Sequence, residues 1–218
     1  MFNNLNQLII LILSLLFAVT LHEVAHGYAA YRMGDDTAKR LGRLTLNPLK
    51  HLDFIGSLVL PIALFITGAP FIFGYAKPVP VNFANLHDIK KGMILVSSAG
   101  VLANFGVAIL SGGLFQTMVH FQWIWYGTIF RSFFQDLLSF AGYSVMINTV
   151  LAVFNLMPIP PLDGSKILIP FLPVSLRIAF AKMEHLGMII IFFLLITDSL
   201  SRFTLFFITP LINFLLGR

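Results

Sequence analysis

The sequence predicts an all-α polytopic membrane bundle, about five to six transmembrane or re-entrant helices with a small membrane-associated β-hairpin or sheet. Three observations carry this. Hydrophobic residues fill 58% of the 218 positions, and mean hydropathy is +0.90. Charged residues stand at 11%, less than half of the roughly 25% usual in soluble domains. The apolar residues also fall in long runs separated by basic loops. Such a bundle consumes nearly the whole chain, so a single domain over 1–218 is expected, with no appended soluble domain. No cysteine is present, which excludes disulfides, iron–sulfur clusters, thiolate zinc sites and cysteine nucleophiles. Any metal must rest on His, Asp or Glu. The net charge of +5 is spread through loops, which fits cytoplasmic anchoring better than a nucleic-acid face.

Residues from about Leu5 to Leu21 form the first apolar run, with no basic residue ahead of it and no small-residue cleavage pattern behind it. A retained span is expected rather than a signal peptide. It continues into His22-Glu23-Val24-Ala25-His26-Gly27-Tyr28, after which Arg32, Lys39, Arg40, Arg43 and Lys50 mark a cytoplasmic stretch. Alternation over Leu41–Leu46 reads as a short strand ended by Asn47-Pro48. The run Ile55–Pro70 is short and interrupted, and is read as re-entrant. Phe71–Phe83 carries Gly74, Pro78 and Pro80, which disfavour a helix and permit only an edge strand, here read as an edge hairpin. Gly92–Val119 is a long inner helix with Gly100, Asn104, Gly106, Gly112 and Gly113 allowing close packing. A Trp-rich outward loop follows, then a span at about Phe140–Met157. The tail 186–216 is expected to hold one or two supporting helices.

Histidines at i and i+4 project from one helical face, and Glu23 lies about 100° from His22. His22-Glu23-Val24-Ala25-His26 therefore fits a zinc site with a carboxylate beside it. A carboxylate at the centre of a membrane helix costs about 2.5–3.5 kcal/mol and persists mainly where it is paired or functional. Catalytic zinc takes three protein ligands and an open position. Asp163 is the best third candidate, since it closely follows an apolar span and is flanked by Pro160, Pro161 and Gly164; a plain Asp-Gly turn is the alternative. Topology tests the pairing. If the Ile55–Pro70 run re-enters, two crossings return Asp163 to the depth of His26; if it crosses, the two lie on opposite sides. The basic residues favour re-entry: eight lie between Arg32 and Lys91, one at Arg131, and three between Lys166 and Lys182.

Beyond HEVAH, the chain carries GRLTLNPLKHLDFIG at Gly42–Gly56, FGYAKPVPVN at Phe73–Asn82, AGVLAN at Ala99–Asn104 and FNLMPIPPLDG at Phe154–Gly164. In this order the segments resemble the site-2 protease family of intramembrane zinc metalloproteases, in its compact prokaryotic branch without a PDZ domain. The core motifs span about 20–166. The resemblance implies one zinc ion held by His22, His26 and Asp163, Glu23 as catalytic acid–base, and Asn155 holding the oxyanion or substrate backbone. It implies an integral protein of a prokaryotic plasma or inner membrane, its active site toward the cytoplasm. The substrate would be a membrane-anchored protein cut within or near its transmembrane helix, with the lipid bilayer as the other partner. Phe54 and Val101 stand where the family usually carries proline.

A helical substrate must be unwound before attack, and the Phe71–Phe83 edge offers strand addition, with Gly74, Tyr75 and Val79 as substrate-binding residues. His51 and Asp53 belong to a recurrent motif of the family, yet a loop histidine with a helix-capping aspartate is the simpler local reading. His87, His120 and His185 lack ligand-spaced partners. A different class, a small membrane metal-ion carrier, also keeps His and Asp in membrane helices. Carriers tend to show paired repeats, and none is found here.

Overall fold

A computed structural model describes residues 5–68, 74–197 and 199–218. The order begins with α1 (Leu5–Arg32), a short α2 (Thr37–Arg40), a π-helical turn (Phe54–Val59) running into α3 (Leu60–Ile66), and α4 (Ile89–His120). It continues with α5 (Gln122–Trp125), α6 (Arg131–Asn155), α7 (Asp163–Leu168), α8 (Val174–Ile196), α9 (Ser199–Phe203) and α10 (Thr209–Leu216). Among the described residues, α1, α4 and α6 are long and apolar enough to cross a membrane. Phe54–Ile66 is not. Its thirteen residues reach at most about 20 Å, against the roughly 30 Å of a bilayer core, in keeping with the expected re-entrant segment.

Helices α1, α4 and α6 pack on one another as a three-membered core. Asn6 Nδ2 donates to Asp136 Oδ1 at 2.7 Å, and the Phe17 and Phe140 rings lie 6.1 Å apart, so α1 and α6 run parallel. Helix α4 runs the other way, since His26 meets Val96 near its start and Ser111 meets Ser144 further along. The packing seams follow one rule. On α1 the buried residues include Ile10, Ser14, Ala18, His22, His26 and Ala30, each four after the last; on α4 they include Gly92, Val96, Gly100, Asn104, Ala108 and Gly112, again at intervals of four. Residues four apart share a helical face, and small ones let backbones approach. The two histidines thus occupy consecutive positions in the seam itself. Leu102, Ile109 and Leu110 on the opposite side of α4 are exposed, as a lipid-facing surface requires.

The helix boundaries differ from the sequence expectation in two places. Helix α6 begins at Arg131 rather than near Phe140, because polar Ser132, Gln135 and Asp136 are compatible with helix although they end the apolar run. Helix α8 begins at Val174, so the mixed stretch holding Arg177 and Lys182 is helical, and the tail adds α9, a π-helical turn and α10.

No strand forms among the described residues, at Leu41–Leu46 or at 74–82; residues 71–73 of the expected hairpin lie outside them. The physical reason is where the backbone groups go. Tyr75 N–H bonds to Gly56 O at 3.0 Å and Lys77 N–H to His51 O at 2.9 Å. Val79 N–H goes to a carboxylate, Arg43 takes the carbonyls of Lys77 and Pro78, and Pro78 and Pro80 have no N–H. Too few groups remain for a ladder.

Asp35, fully buried just beyond α1, ties the far end of this segment. It accepts from Asn82 N–H at 2.8 Å, from Asn85 Nδ2 at 2.9 Å, and from the Thr37 N–H and hydroxyl. Burial pushes its carboxyl up, but the bonds from Thr37, Asn85 and Asn82 outweigh this and hold it below the usual carboxylate range. A depressed folded value means the native state binds fewer protons than the unfolded chain. The stabilisation is therefore complete above the unfolded value of about 3.9 and disappears as pH falls through the folded one. Asp35→Asn is expected to lower the thermal midpoint at pH 7 and to flatten the acid limb below about pH 4. Thermal unfolding in detergent between about pH 3 and 7 checks this, and an unaltered acid limb would contradict it.

Candidate metal centre

His22 and His26 sit one turn apart on α1, and Asp163 is the first residue of α7. All three are about nine-tenths buried. Asp163 Oδ2 lies 3.2 Å from His22 Nε2 and 3.0 Å from His26 Nε2, and the two Nε2 atoms are 3.0 Å apart. The rings meet edge to face. Asp163 is brought there by the turn Pro158–Leu162 after α6, and Gly164 makes that turn feasible: a Cβ at this position would strike the carbonyl of Leu156.

The donor set fits a zinc ion. Two imidazole nitrogens and one carboxylate oxygen form a near-equilateral triangle, and bonds of about 2.0–2.1 Å set tetrahedral edges near 3.3 Å. Asp163 Oδ2 is buried with no N–H aligned on it, so hydrogen bonding does not account for the convergence of three polar atoms. His26 Nδ1 lies 2.7 Å from Val96 O, which fixes the ring through its other nitrogen and leaves Nε2 as the ligating atom. Among the described residues this is the cluster of His, Asp and Glu able to hold a metal.

The remaining predicted residues fall as follows. Glu23 is half-buried beside the triad, and its Oε2 accepts from Val79 N–H at 2.6 Å. Asn155 ends α6 and donates one amide hydrogen to Leu151 O at 3.0 Å. Gly74 and Tyr75 are exposed, whereas Val79 is buried and its N–H is already engaged. His51 is buried, with Nε2 2.8 Å from Thr45 O. Asp53 caps the π-helical turn by accepting from Gly56 N–H at 2.7 Å, as the local reading of that pair anticipates. Sequence reasoning missed Val96, Gly100 and Arg43. Gly100 was legible as a packing glycine, and the structure adds that it faces the histidine rings.

The family model for peptidase family M50 matches residues 117–197, which include Asp163. The protein named "Putative zinc metalloprotease YwhC" of Bacillus subtilis is 36% identical over 204 residues, covering 93% of this chain and 85% of its own length. "Putative zinc metalloprotease Rip2" of Mycolicibacterium smegmatis is 33% identical, covering 89% of this chain and 69% of its own. Its Mycobacterium tuberculosis namesake is 30% identical over 85% of this chain and 66% of its own length. No solved structure matches. An alignment over 93% of 218 residues has to run through both the α1 histidines and Asp163. On this similarity the chain belongs to peptidase family M50, the site-2 protease family.

Proposed function

We propose that the chain is an intramembrane zinc metalloprotease that hydrolyses peptide bonds within or near the transmembrane segments of membrane-anchored substrates. The observation that carries this reading is the convergence of His22 and His26, on a helix long enough to span a bilayer, with Asp163 beside Glu23. His22 Nε2, His26 Nε2 and Asp163 Oδ2 would hold the ion. Zinc, when bound, supplies Lewis acidity that polarises a carbonyl and makes water a nucleophile near neutral pH. Glu23 takes the proton from the attacking water and delivers it to the leaving amine. Asn155 has spent one amide hydrogen on Leu151, and its second is available to the developing oxyanion.

Basic residues cluster in the segments flanking the site, from Arg32 to Lys91 and from Lys166 onward, which supports an active site toward the cytoplasm of a prokaryotic plasma or inner membrane. Exposed Gly74 and Tyr75 remain the substrate-side residues of the 74–82 segment. In residues 75–80 only Ala76 keeps an amide free of a bond to another described residue, so a substrate strand would add there by donating more than it accepts.

Protein reconstituted in liposomes with transmembrane peptides tests the reading. The expected result is peptide cleavage with about one zinc per chain, both lost in Asp163→Ala. Cation flux without cleavage would establish a carrier instead.

A further inference from the structure

Two side chains of the HEVAH sequence meet a distant piece of backbone: His26 meets Val96 O within helix α4, whereas the piece that holds Glu23 has no regular structure of its own. Val79 N–H reaches Glu23 Oε2 at 2.6 Å across 56 residues of sequence. Val79 lies between Pro78 and Pro80; neither proline has an N–H and both have restricted φ, so Val79 supplies the single amide donor of that tripeptide. We propose that residues 77–82 are a strap that orients the Glu23 carboxylate, and that Arg43 and Asp35 are positioning residues acting through it.

Each end of the strap is fastened by a buried charge. Arg43 is nine-tenths buried, and its guanidinium donates to Lys77 O at 2.9 Å and Pro78 O at 3.3 Å. Among the described residues it has no carboxylate partner. A buried guanidinium directed at two main-chain carbonyls is an expensive arrangement, and what it fixes is the peptide that carries the Val79 N–H together with the one before it. Asp35 holds the other end through Asn82 N–H at 2.8 Å. Between the fastenings the strap rests on α1 at Gly27, one turn beyond Glu23: a Cβ there would come within 2.8 Å of Val79 Cγ1 and 2.6 Å of Leu44 Cδ2. With Oε2 engaged by the amide, Oε1 is the atom left to exchange protons, and a side chain with several rotatable bonds is confined to one arrangement. Loss of that confinement lowers the rate of the chemical step, which kcat reads separately from any change in KM.

The kinetic arm rests on the protease reading; the exchange arm does not. Amide hydrogen exchange on the zinc-loaded protein in detergent should show Val79 protected in wild type, and exchanging at least about tenfold faster in Arg43→Ala and in Glu23→Ala. Where wild type cleaves a transmembrane peptide, Arg43→Ala should lower kcat by about 10–100-fold with zinc content unchanged, and Arg43→Lys should recover much of the loss. Should Arg43→Ala fail to fold, Gly27→Ala displaces the strap from the α1 side. It should lower kcat, and adding Leu44→Ala and Val79→Ala together should restore it by removing both obstructing side chains. Unprotected Val79 in wild type, or unchanged exchange in both Arg43→Ala and Glu23→Ala, overturns the proposal. So does a cleavage defect lying wholly in KM. Protected Val79 in a chain that cleaves nothing would retain the strap and dismiss the protease reading.

Discussion

Glu23→Gln is expected to lower peptide hydrolysis by roughly 10²–10⁴-fold, the range over which a positioned acid–base group contributes, while zinc content stays at about one ion per chain. The substitution isolates proton transfer because so little else changes. Glutamine keeps the length and shape of the side chain, and its carbonyl can still accept the Val79 N–H that now reaches Oε2 at 2.6 Å. The three ligating atoms belong to other residues, and the ring of His26 is fixed by Val96 rather than by Glu23. What glutamine lacks is a site for the water proton at neutral pH. Initial rates on a transmembrane peptide, measured beside metal analysis of the same preparation, give both numbers. A variant that retains a rate within about threefold of wild type would remove Glu23 from the chemistry.

How far this arrangement could be read from the chain depends on whether a feature repeats. His22 and His26 are spaced i and i+4, so they were recognisable from the sequence as neighbours on one face, and the α1 seam continues that interval of four. Asp163 was singled out by its place after an apolar span beside Pro160, Pro161 and Gly164, and the count of crossings with the distribution of Lys and Arg tested the pairing. Its juxtaposition with the histidines, at 3.2 and 3.0 Å, agrees with the version in which Ile55–Pro70 fails to cross. The strap was not legible. Val79 to Glu23, Arg43 to Lys77 and Asp35 to Asn82 are side chain to backbone contacts separated by 56, 34 and 47 residues, and no period or composition announces them. The same prolines that suggested an edge strand in fact leave one donor for a carboxylate, which is why the hairpin reading found the right segment and gave it the wrong partners. The starts of α6 and α8 were misplaced for a related reason: hydropathy locates the membrane-depth portion of a helix, whereas backbone hydrogen bonding continues through polar turns at its ends.

Gly100→Ala carries the second large effect, because it changes the metal site without altering a ligand. Gly100 lies in the α4 seam facing α1. A Cβ built there would land against His26 Nε2 and Cε1, and 2.7 Å from His22 Cε1. Those atoms are the ligating edges of both rings, and the rings have little freedom to withdraw: His26 is bonded to Val96 O on the same α4 helix, and both stem from a backbone locked in the α1 seam. Either the imidazoles rotate off the shared centre or α4 backs away, taking Val96 with it. Zinc affinity is expected to fall by at least about 10–100-fold, the scale seen when the support of a metal ligand is removed, and cleavage should fall with it. Helix propensity acts in the opposite direction, since alanine is favoured over glycine by about 1 kcal/mol in a helix interior. Gly106→Ala supplies the control on the same helix, where an added Cβ meets nothing within 4 Å. It should leave zinc binding unchanged and the thermal midpoint equal or higher. Competitive zinc titration of the two variants separates the explanations, and a Gly100→Ala protein binding zinc as tightly as Gly106→Ala would mean that α4 does not close the metal site as its contacts with the histidines indicate.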